Sequence, residues 1–383
     1  MTGARALLSD FHLARRPGAA FAAMGLGWGS FAAQVPVLKA QIGAGDALFG
    51  LILSSAAFGL ACAMALAPAL DRRIGGAALS GATLVLAVSF LLPGAAVLPL
   101  VFAAGIFLCS LCSGVMDVLM NARVAELEAR HKRELMNLAH AIFSFCYASS
   151  AVLTGFLREA GAAPLAIFAV IGAIAALLAF SLRGLPGETQ ASGPAGAAAP
   201  LAIIVPGGLI VLVAFLAESS TESWAALHVE RTLGGEAIEG ALGPAMLGLT
   251  MGFGRIGGQI VAARINGAGL IAAACSLAAA GALVTATAGS PAGAYAGLAA
   301  LGLGISVVAP TALAMVGRRA TPGTRTRTMA RVAVIGFSGF FFGPPLMGFL
   351  AEGFGLRLAF AAIAASCLAA LLPLWALRRV PRR

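Results

Sequence analysis

Residues 163–182 read APLAIFAVIGAIAALLAFSL, a run of 20 residues in which Ser181 is the only polar side chain. An α-helix rises about 1.5 Å per residue, so a run of this length matches a hydrocarbon layer of about 30 Å. Backbone N–H and C=O groups find no water in lipid, and a helix satisfies all of them internally. The run therefore predicts a helix that crosses a membrane.

Eleven further apolar runs of similar length occur along the chain. They lie near residues 17–39, 47–69, 76–95, 98–121, 135–158, 203–227, 240–263, 267–288, 292–316, 330–351 and 356–377. Of the 383 residues, 60% are hydrophobic and 10% are charged, whereas roughly 25% are charged in a soluble domain. Strands of alternating polarity, the mark of a membrane β-barrel, do not occur in the sequence. We therefore predict an all-α membrane protein with 12 transmembrane helices, numbered as spans 1 to 12 in chain order.

Positive charges indicate on which side of the membrane each connection lies. Of the 25 Lys and Arg residues, 20 fall in segments that are cytoplasmic if the N-terminus is cytoplasmic, and Arg255 falls inside span 8. The other four are Lys39, Arg158, Arg231 and Arg357. Since positive residues stay on the cytoplasmic side of a bacterial inner membrane, both termini are predicted to be cytoplasmic. The net charge of +10 follows from this topology, and no nucleic-acid partner is expected.

One long polar gap separates the runs. Residues 183–202 are rich in Gly, Pro and Ser, a composition typical of a flexible linker. The gap divides the chain into an N-terminal domain, residues 1–182, and a C-terminal domain, residues 203–383, with six spans in each.

The two halves repeat each other at an almost constant offset. Matching stretches are Ser30-Phe31-Ala32-Ala33 with Ser223-Trp224-Ala225-Ala226, Arg73-Ile74-Gly75-Gly76-Ala77 with Arg264-Ile265-Asn266-Gly267-Ala268, and Gly155-Phe156-Leu157 with Gly348-Phe349-Leu350. A constant offset is what duplication of a six-helix unit produces. The repeat predicts two pseudo-symmetric six-helix bundles.

Two carboxyl groups lie inside span 7. An ionisable side chain within a membrane helix costs at least about 2.5 kcal/mol, so it is retained where it faces a cavity or a partner. Glu218 and Glu222 are one helical turn apart and share a face. Low dielectric disfavours the charged form of a carboxyl group, so Glu218 is the first candidate proton carrier and Glu222 the second. A static, hydrogen-bonded role for both remains open.

A second group of polar residues lies towards the cytoplasmic ends of spans 4, 5 and 8. Asp117 and Asn121 are one turn apart on span 4, Asn137 and His140 share a face of span 5, and Arg255 has a similar depth on span 8. Asp117 and His140 are further candidates for proton coupling. Asn121 and Asn137 are candidate substrate ligands, and Arg255 is a candidate gate residue. Static neutralisation of charge is the alternative interpretation.

Aromatic and amide side chains indicate where a solute could bind. Trp28 and Gln34 lie on span 1, and Trp224 and Gln259 lie on spans 7 and 8. An aromatic wall with amide donors suits a polar organic solute. Packing in the core, or at the membrane interface for Trp224, would explain the same residues.

Several motifs are absent from the sequence. There is no G-x-x-x-x-G-K-[ST] phosphate loop and no H-E-x-x-H zinc motif, and the six cysteines lie within apolar runs. We expect no cofactor, no metal site and no catalytic residue. The run from Glu126 to Glu134 mixes both charges and is expected to be a solvated cytoplasmic loop.

The junction between spans 2 and 3 carries a family resemblance. It reads Leu70-Asp71-Arg72-Arg73-Ile74-Gly75-Gly76. This resembles the signature loop of the major facilitator superfamily, G-x-x-x-D-R-x-G-R-R, with Asp71 and Arg72 matching and Gly75 following them. The earlier glycine and the trailing basic pair of that loop are missing. The resemblance implies that Asp71 caps the N-terminus of span 11 across the halves, so Asp71 and Arg72 are candidate latch residues.

A narrower resemblance rests on longer runs. Residues 114–121 read GVMDVLMN, residues 135–144 read LMNLAHAIFS, and Glu218 and Glu222-Ser223-Trp224 are followed by Gly254-Arg255. Together they resemble a bacterial branch of the superfamily related to fucose permeases, over essentially the whole chain. The resemblance implies transport by alternating access, often driven by protons. Fucose-type symporters carry an acidic residue on span 1, and this chain has none there.

The sequence as a whole predicts a secondary active transporter in the bacterial inner membrane. We expect it to move a small polar organic solute by alternating access, as a proton-coupled symporter that acts as a monomer among membrane lipids. A proton-antiport exporter of drugs or metabolites would use the same carboxyl groups. A membrane enzyme or lipid scramblase built on the Asp117–His140 layer, and a channel, are the alternatives from other classes.

Overall fold

The computed structural model describes residues 3–183, 200–262, 265–320 and 325–380, with side chains from residue 9 onward apart from those of 259–262 and 326. Within these ranges every regular element is helical and no β-strand occurs, which confirms the all-α prediction. The helices are α1 (Gly3–Gln41), α2 (Asp46–Leu53), α3 (Ser55–Ile74), α4 (Ala77–Ser89), α5 (Leu91–Ala95), α6 (Pro99–His131), α7 (Met136–Glu159), α8 (Pro164–Ser181), α9 (Leu201–Leu227), α10 (Ala237–Ala262), α11 (Gly267–Thr287), α12 (Pro291–Ile305), α13 (Val308–Gly317), α14 (Arg325–Ala369) and α15 (Leu371–Arg379). One turn of π-helix, His228–Thr232, continues α9.

Ten helical stretches of the described part are long and apolar enough to cross a membrane. They differ from the 12 predicted spans at two places. The helix at Ala237–Ala262 is not among the ten, and Arg327–Arg379 forms one stretch of 53 residues. Gly355 interrupts that stretch with φ 82° and ψ 163°, far from helical values. The prediction of many apolar membrane helices is therefore confirmed, whereas the count of twelve remains a prediction.

The glycine of the span 2–3 junction ends α3. Gly75 has φ 52°, in the half of φ space that favours glycine. Its N–H donates to the carbonyl oxygen of Asp71 over 2.8 Å, which closes the last turn of the helix. Gly75 thus ends the helix three residues after Arg72, so Asp71 and Arg72 both lie in its last turn.

The mixed-charge run after span 4 is mostly helical, so the expectation of a solvated loop is wrong. Helix α6 continues to His131. The Oε1 atom of Glu128 then accepts hydrogen bonds from the backbone N–H groups of Leu135 and Met136, over 2.6 Å and 2.8 Å. The first N–H groups of a helix have no partner within the helix, and its N-terminus carries a partial positive charge. A carboxylate bound there stabilises the helix in both respects. The run therefore joins α6 to α7 rigidly.

Small residues let the helices approach closely. Helix α1 packs against α7 and α8, α3 against α6, α9 against α14, and α10 against α7. Where α1 crosses α7, a Cβ atom added at Gly29 would overlap the backbone carbonyl of Tyr147. Close backbone contact of this kind is how membrane helices gain van der Waals packing without a hydrophobic driving force.

We expect Gly29→Ala to lower the free energy of unfolding by about 1–3 kcal/mol, because the added methyl group meets backbone that cannot rotate away. Gly81→Ala is the matched control, since no heavy atom lies within 4 Å of the Cβ added there. Ala is favoured over Gly in a helix by about 1 kcal/mol, so the control should be neutral or stabilising. Thermal unfolding of the two purified variants in detergent measures the difference. Equal melting temperatures would contradict the close approach of α1 and α7.

Candidate functional site

A cavity of about 370 Å³ lies between the two halves of the chain. Helices α1, α2, α3, α6 and α7 line it from the first half, and α9, α10 and α14 line it from the second. Its polar lining residues are Ser110, Ser113, Asp117, Asn121, His140, Tyr147, Glu218, Ser219, Glu222, Ser223 and Arg255. Five ionisable residues singled out in the sequence, from four different helices, therefore face one shared space.

Arg255 connects both halves through its guanidinium group. Its Nη2 atom lies 3.3 Å from Oε1 of Glu218, and its Nη1 donates to Oγ of Ser144 over 2.5 Å. Glu218 lies on α9, Arg255 on α10 and Ser144 on α7. The Glu218 and Arg255 side chains are 17% and 18% exposed, so little water weakens their attraction. The ion pair balances the charge of Glu218, and the hydrogen bond to Ser144 ties Arg255 to the first half of the chain.

Asp117 has only neutral partners in the described part of the chain. The Nδ2 atom of Asn121 donates to its Oδ1 over 2.9 Å and to its backbone oxygen over 2.8 Å. His140 lines the same cavity, and its ring packs edge-on against Phe21 with centroids 5.1 Å apart. The predicted layer of Asp117, Asn121, His140 and Arg255 thus surrounds one space. Among the described residues, no ion pair joins Asp117 to His140 or to Arg255.

Aromatic rings form much of the remaining wall. The Nε1 atom of Trp28 donates to Oγ of Ser113 over 2.8 Å, and its ring packs edge-on against Phe31 and Phe90. Tyr147 is 2% exposed, and its hydroxyl oxygen has no hydrogen-bond partner among the described residues. Tyr147 was missed in the sequence, although it lies seven residues after His140 and so on the same helical face.

Not every predicted substrate ligand reaches the cavity. Gln34 is fully buried and donates to Oγ of Ser30 over 3.2 Å, and Trp224 is fully buried against Phe49. Asn137 also lies outside the lining. At about 100° per residue, Gln34 is turned well away from Trp28, and Trp224 points to the side opposite Glu222. The side chain of Gln259 lies outside the part that the structure describes.

Asp71 is paired within its own half. Its Oδ1 accepts from Nη2 of Arg123 over 2.5 Å, and Nη1 of Arg123 bonds Oε1 of Glu126 over 3.1 Å. The Arg72 side chain is exposed. Residues 321–324, just before α14, lie outside the described part, so the expected latch across the halves stays a prediction.

Two ion pairs that cross between the halves lie close together at one end of the described part of the molecule. This end comprises the Gln41–Asp46 turn, the end of α7 and the π-helical turn, and is called the distal end. Arg158 bonds Glu230 through two N–O contacts of 2.7 Å and 3.0 Å. Arg231 bonds Asp46 through two contacts of 2.8 Å and 2.7 Å, and Nζ of Lys39 lies 2.9 Å from the same carboxylate. Two-point pairing of this kind is specific in geometry as well as strong.

Two backbone contacts extend the distal closure. The N–H of Ala47 donates to Oε2 of Glu352 over 2.8 Å, and the N–H of Ile238 donates to Oε2 of Glu159 over 3.2 Å. At the opposite, proximal end, which carries Gly75 and the turn after His131, ion pairs such as Asp71–Arg123 join residues of the same half. The distal ion pairs and these backbone contacts hold the two halves together at the distal end.

Comparison with known proteins places these features in a family. The sequence model of one protein family, the Major Facilitator Superfamily, matches residues 18–301 and 270–383. An uncharacterized MFS-type transporter of Yersinia pestis is 30% identical over 355 residues, which cover 90% of each chain. Membrane protein MosC of Rhizobium meliloti is 28% identical over 87% of this chain and 82% of its own.

Solved structures share the fold at low sequence identity. The nucleoside transporter NupG is 12% identical, with a TM-score of 0.75 over 96% of this chain and 100% of its own. A D-xylose-proton symporter is 15% identical, with a TM-score of 0.73 over 97% of this chain and 98% of its own. These likenesses concern the arrangement of the helices.

Proposed function

The chain belongs to the major facilitator superfamily, and on that premise we propose that it is a secondary active transporter that moves a small polar organic solute across the bacterial inner membrane by alternating access, with proton coupling. The observation that carries the proposal is the cavity between the halves. Its wall holds the Glu218–Arg255 ion pair and the carboxyl group of Glu222. Charges placed in membrane helices at this cost are retained for function.

The proposed topology has twelve spans in two six-helix bundles. Helix α10, with 26 residues, is long enough to be span 8, although it is not among the ten apolar stretches. A straight helix of 53 residues would be about 80 Å long, more than twice the thickness of a hydrocarbon layer. Counting Arg327–Arg379 as two spans that turn at Gly355 resolves this difference. Both termini then lie in the cytoplasm, as the distribution of Lys and Arg predicts.

In this topology the distal end faces the periplasm and is closed. The Arg158–Glu230 and Asp46–Arg231 pairs hold the halves together there and must separate when the cavity opens to that side. Two arrangements of the halves, each stabilised by its own contacts, are what alternating access requires. The proximal, cytoplasmic end opens while the distal ion pairs are intact.

Proton coupling is assigned first to Glu218. A proton on Glu218 removes the charge that Arg255 balances at 3.3 Å, which frees the guanidinium group and loosens the contact between α9 and α10. Glu222, Asp117 and His140 line the same cavity and extend the path for a proton. We assign symport first, in which solute and proton move in the same direction. An exporter that works by antiport would use the same carboxyl groups and move the two in opposite directions.

The branch related to fucose permeases is proposed on the runs at residues 114–121 and 135–144. Helix α1 has no Asp or Glu between residues 17 and 41, so a sugar symporter of that branch would differ from this chain at span 1. We therefore propose the class of solute from the chemistry of the cavity wall and not from the substrates of that branch.

Thermal stabilisation across a solute library tests the proposed function. A ligand that binds only the folded protein raises its melting temperature. We expect a solute that stabilises the native protein differently at about pH 5.5 and about pH 8, and expect Glu218→Gln to reduce that pH dependence. Glu236→Gln, an exposed carboxyl outside the cavity, is the matched control.

Proteoliposomes then separate transport from the other classes of function. A pH jump should drive uptake of the hit in unchanged chemical form through the native protein and not through Glu218→Gln. Release of a modified product would favour a membrane enzyme, lipid movement would favour a scramblase, and flux without saturation would favour a channel. A hit that stabilises both proteins equally at every pH would overturn the role of Glu218.

A further inference from the structure

The cavity wall holds more acidic than basic groups. Asp117, Glu218 and Glu222 are the carboxyl side chains among the described residues that line it, and Arg255 is the guanidinium group among them. An imidazole such as that of His140 is mostly uncharged at neutral pH. Because Arg255 is paired with Glu218 at 3.3 Å, its charge is already balanced. Two carboxyl groups, those of Asp117 and Glu222, have no ion pair among the described residues.

Glu222 is the less satisfied of the two. Asp117 accepts a hydrogen bond from Asn121, whereas Glu222 has neither a hydrogen bond nor an ion pair among the described residues. Tyr147 lines the same cavity, and its buried hydroxyl group also has no hydrogen-bond partner among those residues. An unpaired carboxylate in a low-dielectric site is expensive, so Glu222 must bind either a proton or a cation that enters from solution.

The remaining wall suits the apolar part of such a cation. Besides Tyr147, aromatic rings line the cavity from both halves, and they are those of Phe21, Trp28, Phe31, Phe143, Phe215, Phe337 and Phe340. The hydrogen bond to Ser113 fixes one of these rings, that of Trp28. Aromatic faces attract ammonium groups as well as apolar rings. An anion, by contrast, would have to compete with Glu218 for Arg255.

Resting on the transport function proposed above, we propose that the cavity binds an organic cation, a protonated or quaternary amine with an apolar ring, whose charge is held by Glu222 and whose ring lies against the aromatic wall. Asp117 contributes negative potential from α6, and Tyr147 offers its hydroxyl oxygen to an ammonium N–H. The carboxylate of Glu222 cannot hold a proton and the cation at the same time. Solute and proton therefore compete for Glu222, which couples their movements in opposite directions and favours antiport, the alternative direction of coupling given above, over symport.

Three probes of similar size test the charge of the ligand. Benzyltrimethylammonium is a permanent cation, 2-phenylethanol is neutral, and phenylacetate is an anion. Equilibrium binding to the purified full chain should be at least about tenfold tighter for the cation than for the alcohol, which corresponds to ~1.4 kcal/mol, and phenylacetate should bind more weakly than either. Because the cationic probe does not titrate, a loss of its affinity as the pH falls reports protonation in the protein. The titratable and charged groups that line the cavity together with Glu222 are Glu218, Asp117, His140, Tyr147 and Arg255.

Variants locate the charge that binds the probe. Glu222→Gln should weaken binding of benzyltrimethylammonium at least about tenfold and leave binding of 2-phenylethanol unchanged. Glu236→Gln should change neither. Should Glu222→Gln fail to fold, Asp117→Asn and the preference of the native protein among the three probes decide the matter.

Phenylacetate binding as tight as that of the cation, equal affinity of native protein and Glu222→Gln for the cation, or no binding of the cation would each overturn the inference. Proton-driven transport of a neutral or anionic solute by the same preparation would leave the transporter function standing while the cation assignment fails. Absence of any solute-dependent proton movement would instead count against the transporter function itself.

Discussion

Reversing the charge of either Arg158 or Glu230 alone is expected to open the distal end, and reversing both together is expected to close it again. The native pair makes two N–O contacts, and its side chains are 9% and 18% exposed. A single reversal sets like charges opposite each other at this depth and should cost about 2 kcal/mol or more of distal closure, roughly 30-fold in the equilibrium. Arg158→Glu with Glu230→Arg restores the attraction, although it loses the hydrogen bond from Arg158 to the carbonyl oxygen of Ala33.

Trp224 reports this opening, because it is fully buried against Phe49 of α2, across the halves. In a background where Trp28 and Trp375 are replaced by Phe, iodide should quench Trp224 more strongly in each single variant than in the unreversed or the doubly reversed protein. A melting temperature close to that of the native protein is the control for that background. Equal quenching in all four proteins would show that the Arg158–Glu230 pair does not hold the distal end.

Arg255→Gln is expected to destabilise the protein strongly, and adding Glu218→Gln is expected to recover most of the loss. Removing one partner leaves a carboxylate in a membrane cavity without its counter-charge, which costs about 3 kcal/mol in a buried pair. Partial exposure of the two side chains, 18% and 17%, lowers this figure moderately. Replacing both residues removes the uncompensated charge, so the two effects should be far from additive.

Unfolding midpoints of the two single variants and the double variant give the coupling between Arg255 and Glu218. Ser144→Ala is the control, because it removes a hydrogen bond to Arg255 while keeping the ion pair, and should cost only about 1 kcal/mol. A double variant whose destabilisation equals the sum of the single effects would mean that the two side chains do not interact.

The sequence predicted the ionisable lining of the cavity because charge in a membrane helix is costly. Asp117, His140, Glu218, Glu222 and Arg255 were identified by depth alone, and all five line the cavity. The depth of a residue in the membrane does not determine how its helix is rotated about its own axis. Packing between helices sets that rotation, which is why an amide or indole such as Gln34 or Trp224 faces the protein interior instead.

The distal ion pairs could not be predicted from the sequence, since their partners lie far apart along the chain. A signal was present nevertheless. The four positive residues that the predicted topology places on the periplasmic side are all bound: Lys39 and Arg231 by Asp46, Arg158 by Glu230, and Arg357 by the carbonyl oxygens of Ala286 and Ala288. A positive charge on the disfavoured side is retained when a specific contact holds it there.

Helix ends were the other limit of sequence reasoning. The turn at Gly355 falls in the gap that the sequence leaves between the runs 330–351 and 356–377, so its place was predicted, whereas its left-handed backbone conformation was not. The extension of α6 to His131 depends on Glu128, whose carboxylate caps the following helix. Both features follow from backbone contacts that residue types alone leave open.

Distances between spin labels across the halves test the central claim most directly, that the cavity opens to one end of the molecule at a time. Label pairs at Ala40→Cys with Ser290→Cys report the distal end, and Arg73→Cys with Arg318→Cys report the proximal end; all four positions are exposed. With Cys62 and Cys146 replaced by Ser, we expect two populations, in which a longer distal distance accompanies a shorter proximal one, with their ratio shifted by Glu230→Arg. A single fixed distance at both ends, or distances that lengthen together, would contradict the account.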